Sequence, residues 1–120
     1  MRPRPLSPHL QVYRLPITGI ISISHRLTGL ALTVLFAALS LALFWLPDMF
    51  ESVQEWLNWL PIRGLLWLFS AFFSLHLVHG IRHLFWDTGK SFAKADLTRL
   101  ATLELIVSLA LTLFLILIVL

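Results

Sequence analysis

The sequence has no cysteine and few charged residues, and each shortage excludes a class of protein. Without cysteine, the 120-residue chain cannot hold a thiolate-ligated iron–sulfur cluster, and disulfides say nothing about its compartment. Charged residues make up 12% of the chain and hydrophobic residues 58%, whereas soluble domains carry roughly 25% charged residues. A soluble core of this length cannot cover so much apolar surface, so the composition favours a single small domain that lies in a lipid bilayer.

Three stretches are apolar enough to cross a bilayer, which takes about 20 residues. Residues 27–46 carry no charge, and residues 65–81 have only serine and histidine as polar members. Residues 105–120 close the chain and follow directly after Glu104. The prediction is an all-α membrane protein with three transmembrane helices in one domain. The predicted spans cover about residues 20–46, 62–87 and 98–120.

An arm at residues 1–19 precedes the first span and contains four prolines and three arginines. It lacks the uninterrupted apolar run of a secretory signal peptide, so we expect an extended arm that lies on the membrane surface. Lysine and arginine also flank the connection between the second and third spans, whereas residues 47–61 hold only acidic charges. The positive-inside rule therefore predicts a cytoplasmic N-terminus and, after three spans, a C-terminus on the opposite side. This placement explains the basic residues without a nucleic-acid partner.

The second predicted span carries a polar stripe. His76, Gly80 and His83 return to one helix face at 100° per residue, and Asp87 follows on the same face. His79 lies at the edge of that stripe. Ionisable residues at membrane depth are costly and mark functional sites, and imidazole is a ligand for transition metals and haem iron. The stripe predicts a haem site; hydrogen bonding to a partner helix and a proton relay are the alternatives.

A second polar group marks the entrance to the first span. Ser22 and Arg26 are four residues apart and therefore share a helix face. Their hydroxyl and guanidinium groups can donate hydrogen bonds to a carbonyl oxygen, which suits a quinone headgroup. His25 lies about 100° round the helix, where it can reach toward propionates held by the second span. The alternative is an interfacial anchor in which the arginine extends to lipid phosphates.

Three motifs follow one another in the chain: RPLSPHLQVYR at residues 4–14, SISHRLTG at residues 22–29 and HLVHGIRHLFWD at residues 76–87. They resemble the patterns RPLSPHLxxY, SIxHRxTG and HxxxGIRHLxxD of succinate dehydrogenase cytochrome b subunits, the membrane anchors of respiratory complex II. The resemblance covers the arm and the first two spans, whereas the third span carries no motif.

The resemblance implies a role for each residue that matches a motif. His76 corresponds to the axial ligand of haem b, and His83 and His25 correspond to the histidines near the haem propionates. Ser22 and Arg26 correspond to the residues that line the ubiquinone pocket, with Arg26 also close to the propionates.

Other positions are less defined by the resemblance. Asp87 matches the aspartate that closes the third motif, where packing and proton supply to the quinone are both possible roles. His79 and Ser24 occupy variable positions of the patterns, so no role is assigned to them.

The resemblance also implies an assembly, in which a flavoprotein subunit oxidises succinate and an iron–sulfur subunit relays electrons to two membrane anchors. This chain offers one well-placed deep histidine, so a second anchor should supply the other haem ligand from within a multi-subunit helical bundle. The predicted role is electron transport from the tricarboxylic acid cycle, as a subunit of succinate:quinone oxidoreductase in an inner membrane. The N-terminal composition does not resemble a transit sequence, which favours the bacterial cytoplasmic membrane. A quinol:fumarate reductase anchor and a non-redox protein with a histidine proton relay are the alternative functions.

Overall fold

The computed structural model of the chain describes residues 14–45, 53–89 and 93–119. These residues form four helices and no strand. The predicted all-α architecture with three long helices is confirmed. Residues 1–13 of the predicted arm lie outside the described residues, and residues 14–16 are not helical. The helices are α1 (Ile17–Trp45), α2 (Val53–Asn58), α3 (Leu60–Asp87) and α4 (Lys94–Val119).

Proline and glycine mark the ends of the long helices. Helix α1 starts directly after Pro16, whose ring restricts φ. The carbonyl of Pro16 accepts a hydrogen bond from the backbone N–H of Gly19 at 2.9 Å. Pro61 lies in the first turn of α3, where a backbone N–H has no acceptor within the helix, so proline costs no hydrogen bond there. Gly89 ends α3 with a φ of 77°, a left-handed conformation that favours glycine. All three long helices begin a few residues before the predicted spans.

The three long helices are long and apolar enough to cross a membrane. With 29 residues, α1 is about 44 Å long at 1.5 Å per residue, which exceeds a hydrocarbon core of about 30 Å. Large apolar side chains point outward along its length: Leu30 is 65% exposed, Val34 61% and Phe44 76%. This surface suits lipid and other transmembrane helices, as expected of a multi-pass membrane protein.

The interior of the three-helix arrangement is mostly polar. Helix α3 packs against both α1 and α4, which also contact each other. The buried residues that the structure describes include three apolar ones and six polar or charged ones: Ile21, Leu32 and Ala101, then Thr28, Ser74, His79, Arg82, Glu104 and Ser108. Most of them lie where α1 begins, α3 ends and α4 begins. Polar residues in membrane helices face the bundle interior because exposing them to lipid is costly, whereas apolar residues can face lipid without that cost.

Candidate functional site

Two histidines from different helices stack at this polar end. The rings of His25 on α1 and His76 on α3 have centroids 4.0 Å apart and are nearly parallel, at 8°. The Nδ1–H of His76 donates a hydrogen bond to the backbone carbonyl of His25 at 3.1 Å. Since a carbonyl can only accept, Nδ1 carries the proton and Nε2 of the neutral His76 ring carries a lone pair. This is the tautomer that ligates a metal through Nε2.

The neighbouring Thr28 and Gly29 explain how His76 comes so close to α1. A Cβ at position 29 would lie 2.7 Å from Cε1 of His76, so only glycine leaves room for the ring. The buried hydroxyl of Thr28 donates within its own helix to the carbonyls of Ser24 and His25, at 2.9 and 3.0 Å. Gly29 of the second motif therefore forms the surface that receives His76, and Thr28 bonds the backbone of α1 beside it.

Two further histidines of α3 complete a histidine cluster, which comprises His25, His76, His79 and His83. The ring of His79 lies 4.6 Å from that of His25 and 4.8 Å from that of His83. Three of these histidines each place one ring nitrogen within 4.8 Å of the other two: His25, His79 and His83. Such a group could hold a transition-metal ion. The Nε2 atoms of His25 and His79 are buried and have no hydrogen-bonding partner among the described residues.

A buried ionic network backs this cluster from α4. Glu104 is 4% exposed, and its carboxylate accepts hydrogen bonds from the Nδ1–H of His79 and from Nη1 of Arg82, the latter at 2.7 Å. Arg82 also donates from Nη2 to the backbone carbonyl of Leu97 at 3.3 Å, and its guanidinium lies 4.4 Å from the ring centroid of Trp86. We call His79, Arg82 and Glu104 the Glu104 network. It joins α3 to α4.

Sequence patterns assigned a site role to none of the three members of this network. His79 is the most buried histidine that the structure describes, at 1% exposure, and Glu104 is its direct partner. One signal was available, because Glu104 is the only ionisable residue after Arg99 in a span that is otherwise apolar. An ionisable residue at membrane depth is a functional-site hypothesis by default. Its partner was not readable from the third span, which carries no motif.

The remaining candidates lie on more open surface. Arg26 and Asp87 are exposed and Ser22 is half-buried. None of the three side chains forms a hydrogen bond or ion pair with the rest of the described chain. The structure thus brings His25, His76 and His83 together with His79, whereas Ser22 and Arg26, the residues predicted to bind the quinone, have no polar side-chain contact with another described residue.

The donor groups fit a haem in two respects. The Nε2 atoms of His25 and His79 are buried and have no partner among the described residues. Because His79 donates from Nδ1 to Glu104, its Nε2 offers a lone pair, which a metal ion or a hydrogen-bond donor would satisfy. A Cβ at Gly80 would meet nothing within 4 Å, so the face of α3 between His76 and His83 is open to a flat group.

Comparison with known proteins gives one consistent family. The family model described as succinate dehydrogenase/fumarate reductase transmembrane subunit matches residues 1–117. The succinate dehydrogenase cytochrome b556 subunit of Paracoccus denitrificans is 43% identical over 96 residues, which cover 72% of this chain and 68% of the relative. The b556 subunit of Rickettsia felis is 41% identical over 92 residues, covering 75% and 72%. The mitochondrial b560 subunit of Sus scrofa is 37% identical over 111 residues, covering 88% and 65%.

Proposed function

The chain belongs to the family of succinate dehydrogenase and fumarate reductase transmembrane subunits, and on that basis we propose that it is the cytochrome b anchor of a succinate:ubiquinone oxidoreductase. In this proposal the chain binds haem b together with a second membrane anchor and helps to form the site of ubiquinone reduction. The observation that carries the proposal is the stack of His25 on His76, beside which buried imidazole nitrogens have no partner in the part of the chain that the structure describes.

His76 is the proposed axial ligand of the haem iron. Its Nδ1–H is held by the carbonyl of His25, which orients the ring and leaves Nε2 for the metal. When bound, the haem supplies a one-electron carrier inside the membrane. His25, His83 and Arg26 are the proposed partners of its propionates, because they offer imidazole and guanidinium donors at the same end of the bundle.

The second axial ligand is proposed to come from another subunit. Because His79 is on the same helix as His76, it would not serve as the second ligand of a haem that His76 would hold. The outward-facing apolar surfaces of α1 and α4 are where a partner anchor can pack. The haem would then lie between the two anchors.

The quinone site is proposed at the entrance to α1. Ser22 and Arg26 hold donors that no described residue uses, and both groups can bind a quinone carbonyl. Reduction of ubiquinone takes two electrons and two protons. The electrons would come from an iron–sulfur subunit, since this chain has no cysteine to hold such a cluster, and a flavoprotein subunit would oxidise succinate. Asp87 at the end of α3 is a candidate for proton supply.

The orientation is proposed from the charges. Basic residues flank the start of α1 and the connection between α3 and α4, which supports a position of this end of the bundle on the cytoplasmic side of an inner membrane. The iron–sulfur subunit would dock on the same side, next to the histidine cluster and the quinone site. Electron delivery then needs no path across the whole bilayer.

A reduced-minus-oxidised optical spectrum tests the proposal. The complex is isolated from membranes through this chain with its partner subunits, and reduced with succinate and then with dithionite. We expect a b-type haem band, together with succinate-dependent reduction of ubiquinone. A complex without any b-type band would overturn the haem assignment and favour the alternative, a non-redox membrane protein whose histidines form a proton relay.

A further inference from the structure

Glu104 is an unusual residue for its position. It lies in α4, whose following residues are apolar or uncharged to the end of the chain, and it is 4% exposed. A buried carboxylate in a low-dielectric interior is costly unless it is paired and hydrogen-bonded. Both conditions hold here, because two donors from α3 converge on the same carboxylate.

The charges of this pair cancel. Arg82 carries one positive charge and Glu104 one negative charge, and Nη1 lies 2.7 Å from Oε2. Both side chains are buried, at 7% and 4% exposure, so water screens their fields only weakly. A change in either residue leaves one uncompensated charge in the interior.

This pair is connected to the candidate iron ligand by direct ring contacts. The Nδ1–H of His79 donates to Glu104, and the ring of His79 lies 4.6 Å from that of His25. His25 in turn stacks on His76 at 4.0 Å. His79, the partner of the Glu104 carboxylate, is therefore connected to His76 through two ring contacts, with His25 between them.

Stability alone is a weak explanation for such a pair. Replacing a buried ion pair with well-packed apolar residues is often neutral or stabilising, because desolvation offsets the attraction. A charge pair next to a redox group has a direct electrostatic consequence, since a nearby negative charge disfavours the reduced form and a positive charge favours it.

We propose that Arg82 and Glu104 form a balanced charge pair in which each charge keeps the other from shifting the reduction potential of the haem, with Glu104 also holding His79 against His25. The inference rests on the proposed function and adds positioning residues to it, one of them from α4. Glu104 acts through Arg82 and His79, and its charge keeps the guanidinium from raising the potential.

The test is a redox titration of the b-type band in the isolated complex, at alkaline pH so that an imidazole proton cannot replace a lost cation. Glu104→Gln leaves Arg82 unbalanced, and we expect a higher potential. Arg82→Gln leaves Glu104 unbalanced, and we expect a lower potential. A unit charge about 10 Å away at an effective dielectric of about 20 shifts an equilibrium roughly tenfold. For a one-electron couple that is about 59 mV.

Three variants separate charge from packing. Glu104→Asp and Arg82→Lys keep the charges and should stay near the wild-type potential. Ser108→Ala removes a buried hydroxyl one turn further along α4 without touching the pair, and it should leave the potential unchanged.

The outcomes are distinguishable from a failure of the proposed function. A wild-type complex without a b-type band overturns that function and this inference with it. A wild-type band with unchanged potentials in both single-charge variants, or with shifts of the same sign, overturns only the charge-pair inference. Loss of haem or of the complex in both variants would indicate a structural ion pair only and would also overturn it.

Discussion

Two polar regions lie at the same end of the three-helix bundle, and they differ in how their groups are satisfied. In the closed region, which comprises the histidine cluster and the Glu104 network, side chains from three helices bond or stack with one another. In the open region, Ser22, Arg26 and Asp87 have no polar contact with other described residues.

From this difference we expect the closed region to position a ligand and the open region to bind one. In the closed region, the stack of His25 on His76 and the hydrogen bond of His79 to Glu104 hold three of the four rings in defined places, whereas His83 is exposed. Groups at the open region keep their donors and acceptors for a substrate, a lipid or a partner subunit. We therefore expect changes in the closed region to alter the haem. Changes in the open region should alter quinone chemistry and, at Arg26, also remove one of the three proposed propionate partners.

The largest expected effect is that of His76→Ala. Loss of the imidazole removes the proposed iron ligand, so we expect the b-type band of the isolated complex to disappear. Ser74→Ala, at a fully buried position two residues earlier on α3, is the matched control and should keep the band. A normal band in His76→Ala would contradict the ligand assignment and would leave the closed region without its proposed cofactor.

Arg26→Leu tests the open region. We expect ubiquinone reduction to fall roughly tenfold to a hundredfold, because a hydrogen bond from a charged donor is worth about 1.5–3 kcal/mol. Succinate oxidation by an artificial soluble dye should stay unchanged. The b-type band should be retained, because the proposed iron ligand His76 and the other two proposed propionate partners, His25 and His83, are intact. Arg63→Leu, near the start of α3 at the opposite end of the bundle, should resemble the wild type in all three assays. Equal quinone activity in both variants would show that Arg26 is not a quinone ligand.

Gly29→Ala sharpens the comparison at the contact between α1 and α3. The added Cβ would meet Cε1 of His76 at 2.7 Å, so the ring must move, and we expect a lower haem content per complex. Helix propensity alone would favour alanine by about 1 kcal/mol, so a loss has to come from the contact. Gly64→Ala, where a Cβ meets nothing within 4 Å, should retain full haem content. Equal haem contents in the two variants would contradict the close packing of His76 on Gly29.

Thr28→Val should have the smallest effect. It removes a buried hydroxyl that bonds the carbonyls of Ser24 and His25, and the net cost of such a bond is about 1 kcal/mol. We expect a small decrease in the temperature at which the b-type band is lost. Thr33→Val removes the same kind of bond on an exposed surface, at 2.8 Å to the Gly29 carbonyl, and should change this temperature less. An equal decrease in both variants would mean that Thr28 does not support the cluster.

The helices and part of the cluster followed from sequence patterns. Apolar runs predicted the three long helices because a bilayer core requires a minimum apolar length. The spacing of His76 and His83 predicted a shared face of α3, and the position of His25 on α1 suggested contact with the second span. These predictions use rules that act within one helix.

The Glu104 network lay beyond those rules. His79 and Glu104 are 25 residues apart and on different helices, and a helical wheel gives no relative rotation between two helices. The role of Gly29 was also beyond rules that act within one helix, because the ring that needs the space at Gly29 is that of His76 on another helix. Sequence patterns also left His79 at the edge of the stripe, where nothing distinguished a packed residue from a functional one.

By itself, then, the sequence determined a three-span membrane protein with a histidine stripe and the motifs of its family, because apolar length and helical spacing act locally. Only the tertiary structure decided which ionisable side chains face one another. That choice depends on the rotation and depth at which α1, α3 and α4 pack, and in a bilayer it is governed by the need to pair every buried charge. Arg82 and His79 find that partner in Glu104.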